Sequence, residues 1–134
     1  MMLYRGVVAW LFAGTILIVS VGTGWAQDVG LTGTWYGPDG MTLSVRQVGQ
    51  DVWWVARSKD GGKGFTSVFY GKLTGNHLLG HFADLPEGKN QSHGSLKAKL
   101  VLKDRKTVMI EGELLFPNDD TPRPWSISRT KPEK

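Results

Sequence analysis

The chain contains no cysteine. Disulfide staples, a thiolate zinc site and a thiol nucleophile are therefore all excluded. Long segments with a 3.6-residue apolar period are missing after residue 26. That argues against a helical bundle. Excess charge of one sign is scarce, with 16 Lys and Arg against 12 Asp and Glu in 134 residues. The few clustered charges lie in RTKPEK at the C-terminus, the pattern of a solvated tail. No basic stripe suggests nucleic acid as a partner. Long hydrophobic runs are limited to one. It extends uncharged from Gly6 to Gly22 after the single early charge of Arg5, and Gly24, Trp25 and Ala26 follow.

That N-terminal pattern is the form of a secretory signal peptide over residues 1–26, cut after Ala26. The run falls short of the about 20 residues that a full membrane span needs. The expectation is one domain over residues 27–134, periplasmic or secreted, with no membrane attachment after cleavage. No cysteine stands at the junction to take a lipid. An exported domain of this size without disulfides needs a closed and efficiently packed sheet.

What the chain does have is glycine-punctuated β-rich sequence. Short alternating stretches predict eight strands, at 32–37, 40–48, 51–58, 65–73, 77–84, 94–103, 107–116 and 124–130. Three tight turns set the register. Gly49-Gln50 suits a two-residue hairpin with Gly first, pairing Val45 with Trp54 and Arg46 with Trp53. Gly75-Asn76 likewise pairs Phe69 with Phe82 and Tyr70 with His81. A three-residue loop, Asp104-Arg105-Lys106, pairs Leu100 with Ile110 and Leu96 with Leu114. It also sets Lys99 opposite Glu111 and Lys97 opposite Glu113. A two-residue loop there would turn both glutamates onto the apolar face, a costly register.

The stretch VWWVARS places two tryptophans side by side. Neighbouring residues of a strand face opposite sides of the sheet. Centring the KDGGKG loop pairs Trp54 with Phe69 and Trp53 with Tyr70. One face then reads Val45, Trp54, Phe69, Phe82, and the other Arg46, Trp53, Tyr70, His81. Arg57 and Lys72 share the second face, which is therefore the outside. The long loops GPD, KDGGKG, LPEGKNQSH and PNDDTPRP fall at one end of an up-and-down order, and the tight turns at the other. An eight-stranded antiparallel up-and-down barrel, open at the long-looped end, predicts that asymmetry. An open meander sheet is the alternative, and it leaves two edges uncovered.

The opening LTGTW, Leu31 to Trp35, resembles the start of the avidin and lipocalin barrels. That resemblance implies that Trp35 plugs the closed end and that a basic residue of the last strand covers it. Arg129, at the end of WSISR, has the right face and end for that role. An Arg over an indole also combines cation–π attraction with burial of its stem. The avidin set of biotin-contacting residues has no match here, so biotin binding is not implied. The middle of the chain, from RQVGQDVWWVARSKDGG through GHFADLPEG, also resembles small exported bacterial proteins of unassigned activity.

Two surfaces are candidates for function. At the open end Ser58, Ser67 and Asp84 point inward, with Trp54 and Phe69 one step deeper. Hydroxyls and a carboxylate over an aromatic floor suit a small apolar or aromatic ligand. The competing structural role for Asp84 is to accept backbone N–H groups of the PEGKNQSH loop. The outer row Arg46, Trp53, Tyr70, His81, flanked by Val55, Val68 and Ala83, forms an aromatic patch. It suits self-association, a protein partner or a glycan. Its competing role is ordinary cross-strand packing.

No metal or other cofactor is expected. His77 and His81 lie about 13 Å apart along a strand and cannot share an ion, and His93 belongs to the opposite end. DGGKG lacks the following Ser or Thr and the helix of a phosphate loop. Asp39, Asp60, Asp119 and Asp120 place carboxylates around the rim, but a hydrolytic pair needs a defined separation. With no serine triad either, no catalytic residue is named. A non-enzymatic binding module leads, an interaction module follows, and an enzyme is the least supported reading.

Overall fold

The computed structural model describes residues 30–105 and 107–133. The expected signal peptide and its cleavage after Ala26 lie outside the described residues. Among the described residues the chain forms β1 (Gly33–Tyr36), a 3-10 turn (Pro38–Gly40), β2 (Thr42–Val48) and β3 (Asp51–Arg57). Then come β4 (Thr66–Thr74), β5 (His77–Asp84), β6 (His93–Lys103), β7 (Thr107–Phe116) and β8 (Asp119–Ser128). Each strand pairs antiparallel with the next, and β8 closes on β1. The fold is an all-β, eight-stranded up-and-down closed barrel, as the turn chemistry and loop asymmetry predict; the open meander is excluded.

The register follows from the turns. Val48 faces Asp51 across Gly49-Gln50, and Thr74 faces His77 across Gly75-Asn76. Gly49 and Gly75 have φ of 58° and 62°, a region that disfavours other residues. Lys103 faces Thr107, so the third tight turn holds three residues. It sets Lys99 opposite Glu111 and Lys97 opposite Glu113 as expected. Arg46, Trp53, Tyr70 and His81 align across β2 to β5 on one face. Val45, Trp54, Phe69 and Phe82 align on the other. Trp54 is 5% exposed and Trp53 42%, which fixes the inside and the outside.

Two expectations are corrected at the open end. PNDDTPRP is not a long loop. Asp119 already pairs with Phe116, so Pro117-Asn118 is a tight turn and β8 starts five residues before 124. Pro122 and Pro124 are tolerated within it because β1 meets β8 only at Tyr36 and Ser128. The outer edge of β8 above that point has no neighbour whose ladder would need their N–H groups. A shift of register between Leu114 and Phe116 absorbs the bend. His93 is the first residue of β6 and pairs with Ala83; it is not in a loop.

The interior has two zones. The closed-end half is packed with aliphatic side chains, among them Leu31, Leu43, Val52, Leu78, Ile110 and Ile127, all at 1% exposure or less. Trp35 is fully buried here and its indole N–H donates to the carbonyl of Leu31 at 2.8 Å. Arg129 lies over the Trp35 ring at 5.2 Å and donates to the carbonyls of Gly30 and Thr32. The predicted closure pair is therefore in place, and the guanidinium ties the incoming chain to the end of β8.

Above this zone three aromatic rings cross the barrel. Phe69 of β4 stacks on Trp54 of β3 with centroids 3.7 Å apart, and Trp54 stacks on Trp125 of β8 at 5.6 Å. Both pairs are within 13° of parallel. Such pairs add about 0.5–1.5 kcal/mol each beyond their burial. The stacked rings form a floor. The space above it is the open end.

Candidate functional site

The open end holds a cavity of about 1020 Å³. Trp54, Phe69 and Trp125 form its floor, and Phe82, Phe116, Leu96 and Leu114 are in its walls. All five residues expected at a ligand site, Trp54, Ser58, Ser67, Phe69 and Asp84, line this one cavity. Their placement follows from the strand pleat. Ser67 faces Asp84 across β4 and β5, one step above the pair Phe69 and Phe82.

Their chemical situations differ. Ser58 is committed to its own loop: its hydroxyl donates to Asp60 and accepts from the N–H groups of Gly64 and Phe65 at 3.2 and 3.1 Å. It organises the mouth more than it offers a contact. Ser67, 8% exposed, donates to the carbonyl of Ala83 at 3.3 Å and keeps lone pairs free toward the interior. Asp84 accepts the N–H of Ser92 at 2.9 Å through Oδ2, and its own N–H donates to the Ser92 carbonyl. The carboxylate therefore does tie down the loop at 85–92, the structural role weighed for it. Its Oδ1 takes no protein hydrogen bond among the described residues.

The mouth is built by two loops joined to each other. Lys89 and Asn90 donate backbone N–H groups to the carbonyls of Lys63 and Gly64, both at 2.9 Å. Leu85 donates likewise to Thr66, and Gly88 is buried against the backbone of Phe65 and Thr66. Cross-linked loops hold the entrance open in one shape before anything enters it.

Two carboxylates near the mouth are held below their ordinary range. The Ser58 hydroxyl and the Gly64 N–H do so for Asp60. The backbone N–H of Thr121 and then the Arg123 guanidinium do so for Asp119. Both favour the charged form at neutral pH, so neither is poised to donate a proton. Arg123 ion-pairs with Asp119 at 2.9 Å and lies 4.6 Å over the Phe116 ring.

Sequence reading missed Trp125, Phe116 and Arg123 as lining residues. Gly112 faces Trp125 across β7 and β8, which puts the indole on the same side as Ile110 and Ile127. With the start of β8 placed at 124, no register for the last hairpin was available to reveal it.

The outer row lies as expected. Trp53 and Tyr70 pack with ring centroids 5.4 Å apart, and Tyr70 is 44% exposed. Arg46 and His81 flank them, both exposed. The Tyr70 hydroxyl donates to Asp51 at 2.8 Å, and Lys72 pairs with the same carboxylate at 2.9 Å. Those two donors hold the Asp51 carboxyl below its ordinary range, Lys72 first, and the same bond pushes the Tyr70 phenol up.

No family model, curated protein or solved structure matches the chain; of the likeness to avidins and lipocalins, the eight-stranded antiparallel closed barrel alone is shown.

Proposed function

We propose that the chain is an exported, non-enzymatic binding barrel that takes a small apolar or aromatic ligand into its open end. The observation that carries this reading is the cavity of about 1020 Å³ over a floor of stacked aromatic rings. Its volume is at the upper end of ordinary small-molecule sites. Aromatic walls supply burial energy, and few polar groups are present to orient a guest. The loops at the mouth are already hydrogen-bonded, which lowers the ordering cost of binding. The hydroxyl–carboxylate pair at the mouth, Ser58 and Asp60, is spent on the backbone of Gly64 and Phe65, which is why binding is preferred to catalysis. Native mass spectrometry of the chain from its exported fraction tests it: a mass excess that disappears on denaturation is expected. Ser67→Leu pushes an isobutyl group into the cavity wall. It should abolish uptake while leaving the circular dichroism of the barrel unchanged. Undiminished uptake in that variant would remove Ser67 from the site.

The exposed pair of Trp53 and Tyr70 supports a second use, as an interaction face for self-association, a protein partner or a glycan. Val48 and Leu79, both more than half exposed, extend the apolar surface toward the closed end. Trp53→Ala should weaken association measured by sedimentation and leave the thermal midpoint nearly unchanged. Sedimentation that the variant leaves unaltered would count against this face.

A further inference from the structure

The polar groups of the cavity differ in what they leave available to a guest. Arg123 is occupied, its guanidinium ion-paired with Asp119 and laid over Phe116. Asp60 is occupied by Ser58 and Gly64. Lys59 and Asp39 lie on the mouth loops, fully outside the strand walls, and are exposed to solvent. On β4 and β5 the polar lining side chains are Ser67 and Asp84, while Asn90 and Ser92 line the cavity from the loop at 85–92. Ser67 spends its one proton on the Ala83 carbonyl, so it can only accept from a guest. Asp84 has Oδ1 without a donor among the described residues, so it too can only accept. The polar pair contributed by β4 and β5 thus offers only acceptors, one of them charged, one step above an aromatic floor.

Resting on the binding reading above, we infer that the cavity selects a planar aromatic ligand carrying a protonated amine or amidine, its ring over the Trp125–Trp54–Phe69 floor and its N–H donors on Asp84 Oδ1 and Ser67 Oγ. Three features agree. A cationic head would satisfy the free carboxylate oxygen with a charge-assisted hydrogen bond. A carboxylate guest would instead meet Asp84 with like charge. A neutral hydrocarbon would fill the walls but leave Asp84 desolvated on one side without a partner.

The test is calorimetric titration with three matched probes: tryptamine, 3-ethylindole and indole-3-propionate. They share one ring and differ in the terminal group, which is cationic, neutral or anionic. The expected result is that tryptamine binds about tenfold or more tightly than the other two. Asp84→Asn is the key variant. The amide keeps an acceptor for the Ser92 N–H, so the loop at 85–92 holds, but the charge is gone. In it the preference for tryptamine should collapse while 3-ethylindole binds as before. Equal binding of all three probes to the unaltered chain, or a preference for the anion, overturns the cation inference and leaves the aromatic cavity standing. A tryptamine preference that survives in Asp84→Asn overturns the assignment to Asp84. Heat from none of the three at millimolar concentration overturns the inference and the binding reading with it.

Discussion

Gly80→Ala tests the packing that supports the cavity floor. Gly80 and Gly71 face each other across β5 and β4 on the inward side, beneath the Phe69 ring. A Cβ at position 80 would stand 2.3 Å from the Tyr70 carbonyl oxygen and 2.6 Å from both the Gly71 Cα and the Phe69 Cζ. Two of these neighbours are backbone and cannot rotate away. The third is locked, because the Phe69 ring is stacked 3.7 Å under Trp54. Overpacking of this kind costs about 1–3 kcal/mol. The loss of glycine's freedom in the unfolded chain returns about 0.4–1 kcal/mol. The net expectation is a destabilisation of about 1–2 kcal/mol, or about 5–15 °C in Tm for a domain of this size. Thermal unfolding followed by circular dichroism measures it. The near-ultraviolet spectrum should change as well, because lifting Phe69 displaces the Trp54 indole. Gly30→Ala is the control: a Cβ there meets nothing within 4 Å. A Gly80→Ala chain with the midpoint and near-ultraviolet spectrum of the unaltered protein would refute the argument that these glycines seat the aromatic floor. Phe69→Leu in the same background should recover only part of the loss, since the clash with the Tyr70 carbonyl remains.

Arg129→Ala should cost about 1–3 kcal/mol in urea unfolding with an unchanged m-value, through loss of the contact over Trp35 and of two charge-assisted hydrogen bonds. Arg129→Lys should recover less than half, because an ammonium cannot lay a planar cation on the ring; full recovery by Lys would reduce the site to a point charge. Asp51 supplies the pH prediction. Lys72 and then Tyr70 hold its folded-state pKa below the ordinary 3.8. The carboxylate's stabilising contribution is therefore complete above 3.8 and is lost as pH falls through the folded value. Asp51→Asn should flatten that part of the acid limb in a series of urea midpoints, and a limb of unchanged steepness would show that the pair does not contribute.

How far the sequence was legible depended on where register could be computed. For β2 to β5, and again for β6 with β7, the turns are short or can be centred, so the cross-strand pairs follow by counting. Trp54 and Trp53 separate on that basis alone, and Ser67 lands opposite Asp84. Counting fails at β8. A strand carrying Pro122 and Pro124 reads as a loop until its bare outer edge is known, and that edge depends on how short β1 is. Trp125 belongs to the floor only because its ring reaches Trp54 of β3 across the barrel interior, a proximity that local sequence does not encode. The charge state of the site was legible as residue types but not as availability. Ser58 and Asp84 look alike in the sequence as inward polar residues near one end. Only hydrogen-bond geometry separates a hydroxyl used up by its loop from a carboxylate with one oxygen left over.

That division has a physical consequence for the molecule. The aliphatic zone, with Trp35 and Arg129 sealing it, lies on one side of the ring stack, and the cavity lies on the other. Changes at Ser67 and Asp84 act on groups bordering empty space, so they need not disturb the packed half. Changes at Trp54 cannot be confined in that way. Its indole has Phe69 on one face and Trp125 on the other, and it is both the lid of the core and the floor of the cavity. Removing it would take two stacked contacts and leave a large void at a site only 5% exposed, where large-to-small substitutions of Trp cost about 3–5 kcal/mol. The outward neighbour Trp53, at 42% exposure, lacks that burden. Adjacent in sequence, the two tryptophans therefore differ in what a substitution disturbs: the core and the cavity together at position 54, and an outer cross-strand pair with Tyr70 at position 53.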